Sequence, residues 1–302
     1  MQNSPAVPNP HGSIAEHDID APLCPLVPDP PRWAGERTGL GGTLDDWRLV
    51  STRVPDAARL SPADLESAVA RAYATLAESL AASGHHPVRF WNFVPGIHAD
   101  MGDGRDRYMV FNAGRFAAFL EWFGSAAVFS RMVPTASAVG IAQGPLVVHS
   151  LATRHESRPV ENPRQVPAYS YSKRYGPLPP CFARGTLIAP TPGNERLLLV
   201  GGTASIVGED SQHERDARQQ ALETFENLAH LVAASRGDAS PAPRQASFDA
   251  FTSLRVYIVR AADAPLLRSM VTERFRNARV EFAQADLCRR ELLVEIEGVA
   301  RV

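Results

Sequence analysis

Three things are scarce in this chain of 302 residues: cysteine, long apolar runs and net charge. The cysteines, Cys24, Cys181 and Cys288, are scattered without the paired spacing of a metal site, so we expect reduced thiols, a cytoplasmic protein and no metal. Because no apolar run approaches the ~18 residues of a membrane span, we expect no membrane partner. A formal net charge of −2 gives no electrostatic footprint for nucleic acid.

The first half of the chain alternates helical and extended patterns. Residues 1–40 are rich in proline and lack periodicity, which predicts a disordered or draped arm. A domain over 41–155 follows, in which Ser61 and Pro62 have the order of an N-cap and a first helical residue, and Gly84 closes that helix. The remainder of this half predicts a strand at 88–97, a second helix at about 112–124 and one or two strands over 138–154.

A polar, aromatic and proline-rich segment connects the two halves at 156–180. It is too long for a simple hinge, and connections of this size are usually functional or disordered. Its tyrosines, Tyr171 and Tyr175 among them, and its cation Arg174 suit the wall of a site better than disorder. We therefore predict that this connection forms a lid or wall of an active site.

The last part of the chain, 181–302, has the order strand, glycine turn, helix, strand, helix, strand. With the first half, this order predicts an α+β fold of two related units, each with helices packed on one face of a mixed sheet.

A carboxylate, Glu295, lies inside the apolar terminal segment 292-LLVEIEGV. In a strand, residues 293, 295 and 297 share one face, so Glu295 and Glu297 point toward a groove or an interface while the other face joins the core. Burial and a neighbouring like charge raise the pKa of a carboxyl, as an acid that works near neutral pH requires. The alternative is a structural glutamate in a salt bridge, and for Glu297 we expect a structural or supporting role.

Cations and small residues complete the set of candidates. Arg184 follows the connection, and its guanidinium suits a carboxylate in bidentate geometry, with an ordinary ion pair as the alternative. Gly201 and Gly202 indicate either close approach of a ligand or a bulge or tight turn. Cys288 has no nearby base in the sequence, so we expect a wall residue and weak donor rather than a thiolate.

The C-terminal part resembles the RidA (YjgF-like) family over about 120 residues. The resemblance rests on 199-LVGGTASIV, on the helix carrying 219-QQA and 226-ENL, and on the ending 294-VEIEGVA. It implies that Arg279 sits where that family keeps a carboxylate-binding arginine. RidA-type units assemble as trimers, and because two units in one chain can mimic part of that assembly, monomer and homotrimer both stay open.

A second resemblance covers most of the chain and is to the chorismatases. It is carried by 88-VRFWNFVPGI, 111-FNAGR, 136-ASAVG, 165-QVPAYSYSKRYGPLPPCFARGT, 200-VGGTASIVGEDSQ and 286-DLCRRELLVEIEG. It implies cleavage of chorismate, without cofactor or metal, to pyruvate plus a cyclohexadiene diol or a hydroxybenzoate. In this family Glu295 matches the acid that protonates the enolpyruvyl methylene.

The same resemblance bears on the product and on substrate contacts. Diol-forming members carry alanine at the positions of Gly201 and Cys288, whereas 3-hydroxybenzoate-forming members carry glycine and cysteine, as here. It therefore implies 3-hydroxybenzoate, and a mixture with 4-hydroxybenzoate stays open. The expected substrate contacts are Arg184, Tyr175, Arg174, Arg279, Tyr171 and Gly202. Four further residues in matching segments, Trp91, Asn92, Asn112 and Arg115, are interpreted as core and interface residues.

Two other functions compete with this one. A RidA-like imine deaminase accounts for the C-terminal unit but not for the first half or the connection. A non-catalytic protein that binds a small molecule has the same fold, although it gives no reason for a glutamate at 295.

Overall fold

The computed structural model of the chain describes residues 42–44, 46–189, 195–241 and 244–302. The arm predicted over 1–40, with Cys24, lies outside the described residues. None of the helices in the described ranges combines the length and apolar character needed to cross a membrane.

The first half folds into a five-stranded mixed sheet with helices on one face. In chain order its elements are β1 (Gly42–Leu44), β2 (Trp47–Val54), α1 (Pro62–Ala82), β3 (His86–Pro95), α2 (Arg107–Phe123), α3 (Phe129–Met132), β4 (Thr135–Ile141) and β5 (Leu146–Thr153). The strand order is β1-β2-β5-β3-β4, with β3 and β4 parallel and the other neighbours antiparallel.

The two long helices of this half begin where a side chain caps the backbone. Ser61 accepts a hydrogen bond from the amide of Asp64 at 3.2 Å, and α1 starts at Pro62 as predicted. Helix α2 starts about five residues earlier than predicted, because Asp106 accepts from the amide of Met109 at 2.9 Å. This earlier start places the first turn of α2 beside the site described below.

The second half forms a six-stranded mixed sheet, again with helices on one face. Its elements are β6 (Ser157–Val160), β7 (Gly185–Ile188), β8 (Leu197–Ala204), β9 (Ile206–Val207), β10 (Asp210–Ser211), α4 (Ala217–Arg236), α5 (Arg244–Asp249), β11 (Phe251–Ile258), α6 (Ala264–Arg274), β12 (Arg279–Gln284) and β13 (Val294–Arg301). The strand order is β12-β11-β13-β8-β7-β6, and β9 pairs with β10 in a separate hairpin.

Two strands of this sheet differ from the sequence expectation. Strand β6 lies within the segment assigned to the connection and pairs with β7, so the second sheet begins before the connection ends. Strand β12 was not predicted; it pairs in parallel with β11 and forms the outer edge. Of the alternatives left open for Gly201 and Gly202, the tight turn is wrong, since β8 continues to Ala204, and the bulge is confirmed, since the register with β13 shifts between Ile296 and Gly298. The two glycines lie in this bulge.

Three clusters of buried apolar side chains lie between the layers of helices and sheets. Helices α1 and α2 cover one face of the first sheet through residues such as Leu65 and Phe111, and α4 and α6 cover one face of the second through Leu228 and Leu267. The third cluster contains side chains from both sheets, including Trp91, Phe93, Val139, Leu199 and Val299. The sheets therefore pack face to face with helices outside, which confirms the predicted α+β class.

Candidate active site

A cavity of about 240 Å³ lies where the two halves meet. Helix α2 and strand β4 supply its walls from the first half, and the connection, β8, the segment before β13 and β13 itself supply them from the second. Its polar lining comprises His98, Asp106, Tyr108, Arg115, Ser137, Tyr171, Tyr175, Arg184, Cys288, Arg289, Arg290, Glu291 and Glu295.

Glu295 is the buried carboxyl of this cavity. It is 3% exposed, and within the described residues its Oε1 has no hydrogen-bond partner. Burial raises the pKa of Glu295 to about 8, with the charge of Glu297 adding to the effect and the guanidinium groups of Arg89 and Arg184 opposing it. At neutral pH Glu295 is therefore mainly a protonated acid at the cavity wall.

Gly202 makes the room that this carboxyl occupies. A Cβ at position 202 would overlap with Oε1 of Glu295. Gly201 faces a different neighbour, because a Cβ there would overlap with the Thr135 hydroxyl and come within 2.8 Å of the Ala136 carbonyl oxygen on β4. Gly202 lines the cavity, whereas Gly201 lies behind two lining residues, Ala136 and Arg184, since a Cβ at 201 would also come within 3.2 Å of the Arg184 carbonyl oxygen.

Glu297 lies at the interface of the two sheets. Its carboxylate accepts hydrogen bonds from Arg89 at 2.7 Å, from Trp91 at 3.0 Å and from Tyr257 at 3.2 Å, and a further one from Ser137. Glu295 therefore lines the cavity, whereas Glu297 lies buried between the two sheets.

Arg184 is held rigidly with its guanidinium toward the cavity. It donates to the carbonyl oxygen of Val166 at 3.1 Å and to the Tyr171 hydroxyl, and it lies over the Phe182 ring at 5.1 Å. Its Nε is buried and has no partner among the described residues. A planar, desolvated cation of this kind suits a ligand carboxylate.

Three further arginines line the cavity and were not among the sequence candidates for ligand contact: Arg115, Arg289 and the exposed Arg290. Arg115 on α2 is buried, donates to Asn112 at 2.8 Å and lines the cavity, so its interpretation as a core or interface residue was incomplete. Arg289 lies 3.8 Å over the Tyr175 ring and donates to the carbonyl oxygen of Glu209 at 2.8 Å. The sequence carried a signal for Arg115 and Arg289. Asn112 and Arg115 stand three apart on one face of an apolar helix, and Arg289 directly follows Cys288.

Two predicted ligand contacts do not reach the cavity lining. Arg174 is exposed and pairs with Asp210 and the Tyr175 hydroxyl, so it braces Tyr175 from outside. Arg279 begins the edge strand β12, its side chain is 58% exposed, and it lies 3.6 Å from Glu281. Because β11 separates β12 from β13, the expectation that Arg279 binds substrate is corrected here.

Cys288 lines the cavity, whereas Glu161 does not. Burial raises the pKa of the Cys288 thiol to about 12, with the charge of Glu295 adding to it, so this wall residue stays a thiol, as expected. Glu161 was not singled out in the sequence and lies outside the lining; burial raises its pKa to about 7 and Arg184 opposes the shift.

In the ranges that the structure describes, no group of three or more His, Cys, Asp or Glu side chains is arranged to hold a metal ion.

Known proteins resemble this chain over most of its length. A family model described as "Chorismatase FkbO/Hyg5-like, N-terminal" matches residues 38–152. A 3-hydroxybenzoate synthase from Streptomyces hygroscopicus is 34% identical over 271 residues, which cover 88% of this chain and 77% of that protein. A chorismatase from Streptomyces rapamycinicus is 30% identical over 273 residues, which cover 89% of this chain and 79% of that protein.

A solved structure resembles it as well. The crystal structure of a chorismatase matches with a TM-score of 0.75 and 28% identity, over 86% of this chain and 76% of that one. At this coverage the similarity extends over both sheets and the cavity between them.

Proposed function

The chain belongs to the chorismatase family, and we propose that it converts chorismate to pyruvate and 3-hydroxybenzoate without a cofactor. The observation that carries the proposal is Glu295, a buried carboxyl whose raised pKa keeps it protonated in a cavity lined by arginines. The identity to a 3-hydroxybenzoate synthase supports the product.

The first step is a proton transfer from Glu295 to carbon. The π electrons of the enolpyruvyl double bond take the proton at the terminal methylene, which becomes the methyl group of pyruvate. The adjacent carbon becomes an oxocarbenium centre, and the carboxylate left on Glu295 stabilises that cation in a site shielded from water. An ordinary, exposed glutamate is ionised at neutral pH and cannot supply this proton.

Chorismate carries two carboxylates, and the cavity offers several cations for them. Arg184, Arg115 and Arg289 are each fixed by a hydrogen bond to the protein, so little side-chain entropy is lost when they bind an anion. Tyr171 and Tyr175 hold two of these arginines and line the cavity themselves.

The fate of the cation sets the product. Attack by water releases pyruvate and leaves the diol. Attack by the substrate's own ring hydroxyl, followed by rearrangement, release of pyruvate and loss of a ring proton, yields the hydroxybenzoate with no net consumption of water. Gly201 and Cys288 support the second route here, because Cys288 lines the cavity, Gly201 packs against the backbone of two lining residues, and the resemblance associates this pair with 3-hydroxybenzoate.

The test is to incubate the purified protein with chorismate, without added cofactor, and to separate the products by chromatography. We expect pyruvate and 3-hydroxybenzoate in equal amounts; additional 4-hydroxybenzoate would identify a mixed product. Release of the diol would contradict the proposed product, but it would still show cleavage of chorismate to pyruvate, the reaction of this family. Chorismate that decays only at its background rate would overturn the proposal.

Glu295→Gln is the matched control for this experiment. We expect it to bind chorismate with largely unchanged affinity and to lose turnover. A non-catalytic binding protein has no turnover to lose, and an imine deaminase is identified by release of ammonia from imine substrates instead.

A further inference from the structure

The carboxylate of Glu297 is saturated with hydrogen-bond donors. Its Oε2 accepts from Arg89 at 2.7 Å and from the Ser137 hydroxyl, and its Oε1 accepts from Trp91 at 3.0 Å and from Tyr257 at 3.2 Å. Glu297 is fully buried and forms ion pairs with Arg89 at 2.7 Å and with Arg255 at 4.0 Å. Donors on both oxygens and the adjacent Arg89 guanidinium fix this carboxylate in place between the sheets.

Glu295 is the neighbour of this charge on the same face of β13. Residues two apart in a strand project about 7 Å from one another on one face. Ser137, which binds Glu297, also lines the cavity that contains Glu295. In contrast to Glu297, the Oε1 of Glu295 has no donor within the described part of the chain.

We propose that Glu297 is a positioning residue whose fixed negative charge holds Glu295 in its acid form. The inference rests on the proposed function, in which Glu295 is the proton donor. Glu297 never touches substrate; it restores the proton on Glu295 after each turnover by making the ionised form of its neighbour unfavourable.

The groups that face Glu295 come from several elements. Glu297 on β13 raises its pKa in addition to burial, whereas Arg89 on β3 and Arg184 after the connection lower it. Two acidic neighbours carry no charge near neutral pH, since burial raises the pKa of the Cys288 thiol to about 12 and that of the Tyr108 phenol further. Arg115 and Arg289 line the same cavity.

Arg89 and Glu297 therefore act on Glu295 in opposite directions. Glu297→Gln removes the raising charge and leaves Arg89 buried without its counter-ion, a change that also threatens the fold. The double variant Arg89→Gln/Glu297→Gln removes both charges and keeps the interface neutral. The control is Glu226→Gln, which removes a carboxylate on α4 that pairs with Arg244 at 2.9 Å and lies away from the cavity lining and from the charges around Glu297.

The test is a titration of Glu295 in the free protein by NMR of ¹³C-labelled glutamate carboxyls, with the resonance identified by its loss in Glu295→Gln. We expect Glu297→Gln to lower the pKa of Glu295 by roughly one to two pH units, from the Coulomb interaction at this separation. The neutral double variant is expected to shift it in the same direction by less, and Glu226→Gln is expected to leave it unchanged.

The outcomes separate this inference from the proposed function, because the titration needs no turnover. If Glu297→Gln does not fold, the double variant decides. An unchanged titration in the folded variants, or an equal shift in Glu226→Gln, overturns the role of Glu297 even if chorismate is converted. In the active enzyme the same shift is expected in the alkaline limb of kcat/KM for the folded Glu297 variants, a readout that a merely structural role would not move.

Discussion

At the scale of single residues, the protonation of Glu295 gives the reaction a definite pH dependence. The active form is the acid, and its raised pKa of about 8 means that the proton is present below that pH and lost above it. We expect kcat/KM to be level near neutral pH and to fall about tenfold per pH unit above pH 8, since kcat/KM reports the free enzyme. An alkaline limb near pH 5, the range of an ordinary glutamate, would contradict the assignment.

Gly202 gives a second prediction at this scale. In Gly202→Ala the new methyl group overlaps with the carboxyl of Glu295 and displaces it. A misplacement of about 1 Å costs on the order of 100-fold in rate, so we expect kcat/KM to fall by about that factor with the fold retained. The control is Thr203→Ala on the opposite face of β8, paired with Ile296 of the core, which should change kcat/KM only a few-fold. Full activity in Gly202→Ala would show that Glu295 works elsewhere.

The sequence predicts some of these residues well for a physical reason. Glu295 stands out because a strand alternates its faces, so a carboxylate in an apolar strand is visible without coordinates. Arg115 was interpreted as a core or interface residue because helical periodicity cannot distinguish a core from a cavity wall. Arg279 was misplaced because the edge strand β12 that carries it was not recognised.

At the scale of elements, strand β4 transmits the identity of residue 201 to the cavity. In Gly201→Ala the new methyl group would overlap with the Thr135 hydroxyl and press on the carbonyl oxygen of Ala136, which lines the cavity, and Cys288→Ala would remove the thiol from the cavity wall. We expect the double variant Gly201→Ala/Cys288→Ala to admit water and to release diol at the expense of 3-hydroxybenzoate, as measured by chromatography. A product ratio equal to that of the wild type would remove these residues from the control of product.

Elements with local signals were predicted, and those that depend on distant partners were not. Helix α1 carries a cap, a first-turn proline and a closing glycine within its own sequence. Strand β6 is a strand because β7, some 25 residues later, pairs with it, and its own sequence, with a proline inside, gives little sign of this. The bulge in β8 likewise needs β13, about 95 residues later in the chain, to define it.

At the scale of the whole molecule, the packing of the sheets bears on the assembly. The faces of both sheets that lack helices are buried against each other in one cluster. The exposed large apolar side chains in the described residues are few: Leu120, Met132, Val207 and Leu222. We therefore expect a monomer of 32.8 kDa by light scattering. A mass about three times larger would favour the homotrimer that the RidA resemblance left open.

The predicted two-unit arrangement followed from element order, but the site between the units did not. Contacts such as Trp91 to Glu297 join positions 206 residues apart, and no sequence pattern specifies them. The cavity therefore becomes visible only when both halves are folded against each other.

The proposed reaction requires Glu295 to deliver a solvent-derived proton to the methylene of chorismate. The first measurement is the reaction in D₂O, followed by mass spectrometry and NMR of both products, with Glu295→Gln in parallel. We expect one 3-hydroxybenzoate for each pyruvate, a single deuterium in the pyruvate methyl group, and neither product from the variant. Pyruvate without methyl deuterium, or undiminished turnover by Glu295→Gln, would contradict it.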